Sequence, residues 1–123
     1  MIESWHITIT VPAESRFLHV VRLTAAGAAA ESELSTEQIE DVKIAIDELA
    51  AAAISAAGIT AELVIDFRGD DTGLEVRCSV EVDSPLVIDE LSTAILDATV
   101  DEYAVTAGVQ SQAGFTLTKR RER

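Results

Sequence analysis

Residues Thr36 to Ala57 read TEQIEDVKIAIDELAAAAISAA, and the fold follows from how this stretch is placed. Ile39, Val42, Ile46, Leu49, Ala53 and Ala57 recur at three- and four-residue spacing, the period of an amphipathic helix. Ser35 or Thr36 caps its start, and Glu37, Glu40 and Asp41 lie in the first turns, where the helix dipole favours acids. Gly58 marks the stop. The run Ala50 to Ala53 has high helix propensity and no bulk, so another surface can lie close against that flank. Asp47 and Glu48, in mid-helix, are the first residues to examine for chemistry.

Outward from this helix the pattern alternates between sheet and helix. Upstream, Trp5, Ile7, Ile9 and Val11 alternate with polar residues as a half-buried strand that Pro12 ends. The spacing predicts a helix from about Ala13 to Ala30, with Phe17, Val20, Val21, Thr24 and Ala28 on one side and Arg16, His19 and Arg22 on the opposite arc. A turn at Glu33-Leu34-Ser35 leads into the central helix. Downstream, Leu63, Ile65 and Phe67 face one way before a longer turn from Arg68 to Gly73. Leu74, Val76, Cys78, Val80 and Val82 form the cleanest alternation, and Asp83-Ser84-Pro85 breaks it. A short helix is expected over Ile88–Ala98, carrying Leu91, Ile95 and Leu96, followed by strands Glu102–Ala107 and Phe115–Lys119 around a loop from Gly108 to Gly114. The basic end, Lys119 to Arg123, is expected to fray.

The order β-α-α-β-β-α-β-β, with one apolar face on every element, predicts an α+β fold. The expected architecture is a two-layer α/β sandwich: a single mostly antiparallel (mixed) sheet with three helices on one face and solvent or a partner on the other. At 123 residues the chain reads as a single domain over 1–123.

A formal charge of −13 argues against nucleic acid as a direct ligand, because phosphate binding needs a basic surface. The start, MIESWHITIT, lacks a signal-peptide pattern, no apolar run is long enough for a membrane, and the expectation is a cytoplasmic protein. Cys78, the single cysteine, falls on the inward face of a strand as an inert core residue. His6 and His19 have no Cys or acid cluster at ligand spacing, so no metal site is expected, and with no stretch resembling a phosphate-cradling glycine loop no cofactor is expected either. Arg16, His19 and Arg22, grouped on one arc of an acidic chain, form a candidate docking surface for an acidic partner.

The segment Ile39-Glu-Asp-Val-Lys-Ile-Ala-Ile-Asp-Glu48, preceded by Leu34-Ser35, resembles the approach to the N box of histidine-kinase-like ATPases, and among them the small anti-sigma-factor serine kinases of bacterial partner-switching systems. Val11-Pro12-Ala13 resembles their opening, and Val100 to Val105 with Gly114 to Arg120 resembles their C-terminal strand pair. The resemblance spans nearly the whole chain and implies a histidine-kinase-like ATPase fold. Its departures concern the nucleotide. The family's N-box Glu is followed four residues later by an Asn that helps bind magnesium; here Glu48 is followed by Ala52, which offers no ligand atom. The family's Asp-x-Gly-x-Gly box, flexible lid and second glycine motif are replaced by VDSPLVI at Val82–Ile88, where Asp83 has no glycine after it and a lid has no room.

The resemblance therefore implies a degenerate member. The chain is expected to act as a protein-binding regulator without ATP binding or kinase activity, its partner a sigma factor or an anti-sigma antagonist. Two alternatives stand beside it: an active serine/threonine kinase with a reduced ATP site, in which Glu48 is the catalytic base, and a module that only forms a homodimer through its sheet.

Overall fold

The computed structural model describes residues 4–107 and 111–122. Its strands are β1 (Trp5–Pro12), β2 (Glu62–Asp70), β3 (Gly73–Glu81), β4 (Glu102–Ala107) and β5 (Gln112–Arg120). Its helices are α1 (Leu18–Glu31), entered through a 3-10 turn at Ser15–Phe17, α2 (Thr36–Ala56) and α3 (Glu90–Thr99). The strands form one sheet in the order β1-β2-β3-β5-β4.

Every neighbouring pair in that sheet is antiparallel, in line with the mostly antiparallel sheet expected from the sequence and without a parallel pair among the described strands. Both β3 and β4 run antiparallel to β5, which lies between them, so these two are parallel to each other but never adjacent. The chain crosses from β3 to the far edge through α3, and β5 then returns into the gap.

α2 is the spine of the helical layer. Ser35 caps it, and Ser35 and Gln38 form a reciprocal capping box. The Gln38 amide also donates to the Arg120 carbonyl at 2.6 Å, tying this end of α2 to the end of β5. Val42, Ala45, Ile46, Leu49, Ala50 and Ala53 are buried beneath it. They meet Leu63, Ile65 and Phe67 of β2, Leu74, Val76 and Val80 of β3, and Phe115 and Leu117 of β5 in one core. Burying each of the larger side chains contributes about 1.5–3 kcal/mol relative to leaving it in water.

The far end of α2 departs from expectation. Gly58 makes no left-handed cap; instead the chain leaves Ala56 extended at Ala57 and bridges to Val82. The Gly58 amide donates to the Glu81 carbonyl at 3.1 Å and the Asp83 amide to the Ala56 carbonyl at 3.0 Å. The segment leaving β3 is thereby stitched to the end of α2, which sets the direction in which it enters α3.

Other corrections have local causes. The first helix starts later than Ala13, because residues 15–17 turn more tightly, and its buried face is Val21, Ala25, Ala28 and Ala29, with Thr24 at the margin. Ile7 is 44 % exposed although it shares a face with Trp5 and Ile9. β1 is an edge strand, whereas α1 packs over β2 and β3 and α2 over β5, so the helical layer leaves Ile7 uncovered. Trp5 stays half-buried because its cross-strand partner is Gly69, where a Cβ would run into the indole.

The expected long turn after Phe67 is short: β2 runs on to Asp70 and β3 begins at Gly73, leaving only Asp71 and Thr72 between them. The Asp70 carboxylate closes this turn, accepting from the Thr72 hydroxyl at 2.6 Å and its amide at 2.8 Å, and these bonds hold its carboxyl below the usual range. Gly73 sits at φ +146°, and a Cβ there would meet the Lys119 carbonyl. Of the loop expected over Gly108–Gly114, Gln112 to Gly114 are strand and residues 108–110 lie outside the described residues. The basic end is held rather than frayed as far as Arg121, whose amide donates to the Thr72 carbonyl at 2.9 Å. Among the described residues no helix is long and apolar enough to cross a membrane.

Candidate functional site

The two mid-helix acids of α2 point to opposite neighbours. Asp47 faces α1, where the Arg22 Nε donates to both its carboxylate oxygens at 3.0 and 3.1 Å. Glu48 faces α3, where its Oε1 accepts from the Ser92 hydroxyl at 2.6 Å. One residue along a helix is a rotation of about 100°, enough to separate adjacent side chains onto different flanks.

Ser92 lies in the first turn of α3, and its backbone amide donates to the Oδ1 of Asp89, the N-cap, at 2.8 Å. That amide hydrogen bond, helped by the Ser92 side chain, holds the Asp89 carboxyl below its ordinary value, so it is ionised at neutral pH. Asp89, Ser92 and Glu48 thus form a chain of hydrogen bonds that fastens the start of α3 to the middle of α2. Asp89-x-x-Ser92 is a readable capping signal that moves the helix start from Ile88 to Glu90. Leu91, expected inside, is 71 % exposed, while Leu96 is buried. Capping sets the phase of α3, and with Ser92 held on α2 its neighbour Leu91 is turned outward.

Between these elements runs an open groove of about 260 Å3, lined by Glu48, Ala51, Ala52 and Ser55 of α2 and by Val87, Asp89 and Ser92. This is where the family resemblance puts the N-box Glu and the position of its metal-binding Asn. Two carboxylates line it, no cation does, and Ala52 presents only a methyl group. The start of α3, the end of a helix dipole that attracts anions, is already capped by Asp89 and carries Glu90 in its first turn. A polyphosphate entering here would meet acceptors and negative charge. The Glu48 oxygen nearest α3 is engaged by Ser92 rather than free to take a proton from an incoming hydroxyl.

The residues of the proposed docking arc lie apart from this groove, on the α1 side of α2. Arg16 pairs with Glu14 at 3.2 Å and stands over the Phe17 ring at 4.4 Å. His19 is exposed in the first turn of α1, and Arg22 is bound to Asp47. This is part of a wider pattern. Of the nine Lys and Arg residues, Arg123 lies outside the described residues, and each of the other eight is within 3.6 Å of a carboxylate oxygen. None of Glu48, Asp83, Asp89, Glu90 and Asp97 belongs to those pairs. Cys78 is buried in the sheet, and that burial pushes its thiol up to about 12, which removes it as a nucleophile at neutral pH.

The chain is similar in structure to the crystal structure of the RsbU and RsbW domains of Rv1364c from Mycobacterium tuberculosis, with a TM-score of 0.69 and 23 % sequence identity. The match covers 97 % of this chain and 33 % of that one, so the chain spans about a third of the length of the protein it resembles. The likeness is one of fold: an antiparallel five-stranded sheet beneath three helices. No protein-family model and no curated protein matches the sequence.

Proposed function

We propose that this chain is a regulatory protein-binding module of the anti-sigma type, acting in a partner-switching circuit without ATP binding or kinase chemistry. The fold and the N-box resemblance support the regulatory class. The observation that carries the loss of nucleotide chemistry is the groove between α2 and α3, where Glu48 and Asp89 line the walls, Ala52 stands in place of a ligand, and no cation is found among the described lining residues. Phosphoryl transfer depends on positioning and on neutralising phosphate charge, through a metal and a cradle of amides and cations. This groove supplies the opposite charge balance. The partner implied by the resemblance is a sigma factor or an anti-sigma antagonist. The arc of Arg16, His19 and Arg22 is one face for it: an acidic segment docking there would take the two arginines over from Glu14 and Asp47.

Calorimetry with ATP and with ADP, each with magnesium, tests the reading on wild type and on Ala52→Asn. Neither protein is expected to bind at micromolar concentrations. The single Asn restores one ligand but leaves the acidic walls and supplies no amides for the phosphates. Micromolar binding by the wild type would overturn the reading in favour of an active kinase.

A further inference from the structure

We propose that the groove between α2 and α3 docks an amphipathic helix of another protein, one that carries Lys or Arg beside an apolar stripe. The inference deepens the protein-binding reading and rests on it; what it adds is the surface and the chemistry of the segment that fits there.

The shape comes first. Glu48, Ala51, Ala52 and Ser55 stand at helical spacing along one stripe of α2, and beyond Glu48 none of them reaches further than Cβ or a hydroxyl. A floor so low lets a second helix bring its own side chains close to the α2 backbone. The alanine run that the sequence singles out is thus used on two sides: Ala50 and Ala53 are buried toward the sheet, while Ala51 is exposed and Ala52 half-exposed at the groove.

One wall residue of the groove is apolar and open to solvent. Val87 is 69 % exposed on the groove wall, and Leu91, which is turned outward on α3 and lies outside the groove lining, is 71 % exposed. Neither is needed by the core, which α3 serves through Leu96. An occupant that covers them removes apolar surface from water, the largest favourable term in association.

The charge decides what kind of occupant. Glu48 and Asp89 line the groove, with Asp83 before it and Glu90 and Asp97 on α3, and none of them has a basic partner among the described residues. Covering ionised carboxylates with an apolar or acidic segment desolvates or repels them, whereas a cation beside the apolar stripe compensates both effects. The other described cations are already committed within the fold, so the complementary charge comes from the partner.

The backbone argument selects a helix over an extended strand. A strand entering a buried surface needs a sheet edge to satisfy its N–H and C=O groups, and this groove is walled by helices and a loop segment. A helix satisfies its own backbone and presents residues at the spacing of the α2 stripe.

The test uses a synthetic Leu/Lys amphipathic helix of about 18 residues, five turns long, and a Leu/Glu peptide of the same pattern. Each is titrated into the full chain and followed by amide NMR shifts. The Leu/Lys peptide is expected to move the amides of Ala51, Ala52, Ser55 and Val87 to Ser92, and the Leu/Glu peptide to leave them in place. Val87→Ser with Leu91→Ser should weaken binding at least about fivefold, since each change removes apolar surface that the occupant would take out of water. Leu23→Ser, on the equally exposed α1 surface, should leave it unchanged. Equal binding of both peptides, shifts centred on α1 or on the open face of the sheet, or no binding at all would overturn the proposal. A magnesium-ATP titration on the same sample separates the two claims: nucleotide shifts at these amides would overturn the functional reading, whereas failure of the Leu/Lys peptide in a sample that ignores ATP would overturn only the docking site.

Discussion

Truncating Glu48 should weaken the fold, and the size of the effect can be worked from its one partner. The Ser92 hydroxyl donates to the carboxylate at 2.6 Å, between two half-buried side chains. A hydrogen bond to a charged group contributes about 1.5–3 kcal/mol when well shielded. With much of the Glu48 side chain in water, screening brings the expected value down to about 1 kcal/mol. Ser92→Ala removes the same bond but leaves the Ser92 amide on Asp89, so the cap of α3 survives. Each single variant should therefore lose about 1 kcal/mol, and the double variant little more than either, a coupling of about 1 kcal/mol. For a chain of this length that is a fall in Tm of about 3–6 °C per single variant. Glu48→Gln, which keeps an acceptor oxygen, should retain part of the stability. Urea unfolding of wild type, both singles and the double, followed by far-UV circular dichroism, gives the cycle. A coupling within about 0.3 kcal/mol of zero would refute the reasoning, because it would leave Glu48 free of α3 and available as a base.

The Arg22–Asp47 pair joins α1 to α2 with both side chains more than a third exposed, so Arg22→Ala and Asp47→Ala should couple by no more than about 1 kcal/mol and lose that coupling in high salt. A larger, salt-insensitive value would mean that Arg22 is a structural element unavailable to any partner. The buried Cys78 thiol makes a prediction on the alkaline side. Its folded-state value of about 12 lies above the ordinary 9.0, so the folded chain holds the proton more tightly than the unfolded one. The associated stability is complete below about pH 9 and falls as pH rises toward 12, by an amount on the order of a few kcal/mol at the limit. Cys78→Ala should flatten that limb relative to wild type in unfolding measured from pH 8 to 11; equal slopes in the two proteins would show that the thiol is not shielded.

Much of the fold was legible because its signals are local. The period of Val42, Ile46 and Leu49 and the alternation of Leu74, Val76, Cys78 and Val80 depend only on which side of one element is apolar, and each of these residues is buried. The Ser35 cap is likewise a matter of four consecutive residues. What only the tertiary structure decided concerns relations between elements. Ile7 and Ile9 share one edge strand and one alternation, yet Ile7 is exposed while Ile9 packs against the core, and how far the helical layer reaches over that edge is not written in the strand. Leu91 and Leu96 both fit an apolar stripe, and the choice between them depends on the phase at which Asp89 and Ser92 dock α3 on α2. Asp47 and Glu48 are adjacent acids with the same local context; the packing of α1 on one flank of α2 and α3 on the other gives the first an arginine and the second a serine hydroxyl. Even the ion pairing of Arg16 and Arg22 differs in kind, one closed within two residues of chain and the other across 25. Periodicity states which face of an element turns inward, because burial follows from one side chain's exchange of water for apolar surface. It is silent about which neighbour that face meets, because that depends on the simultaneous packing of residues far apart in the chain.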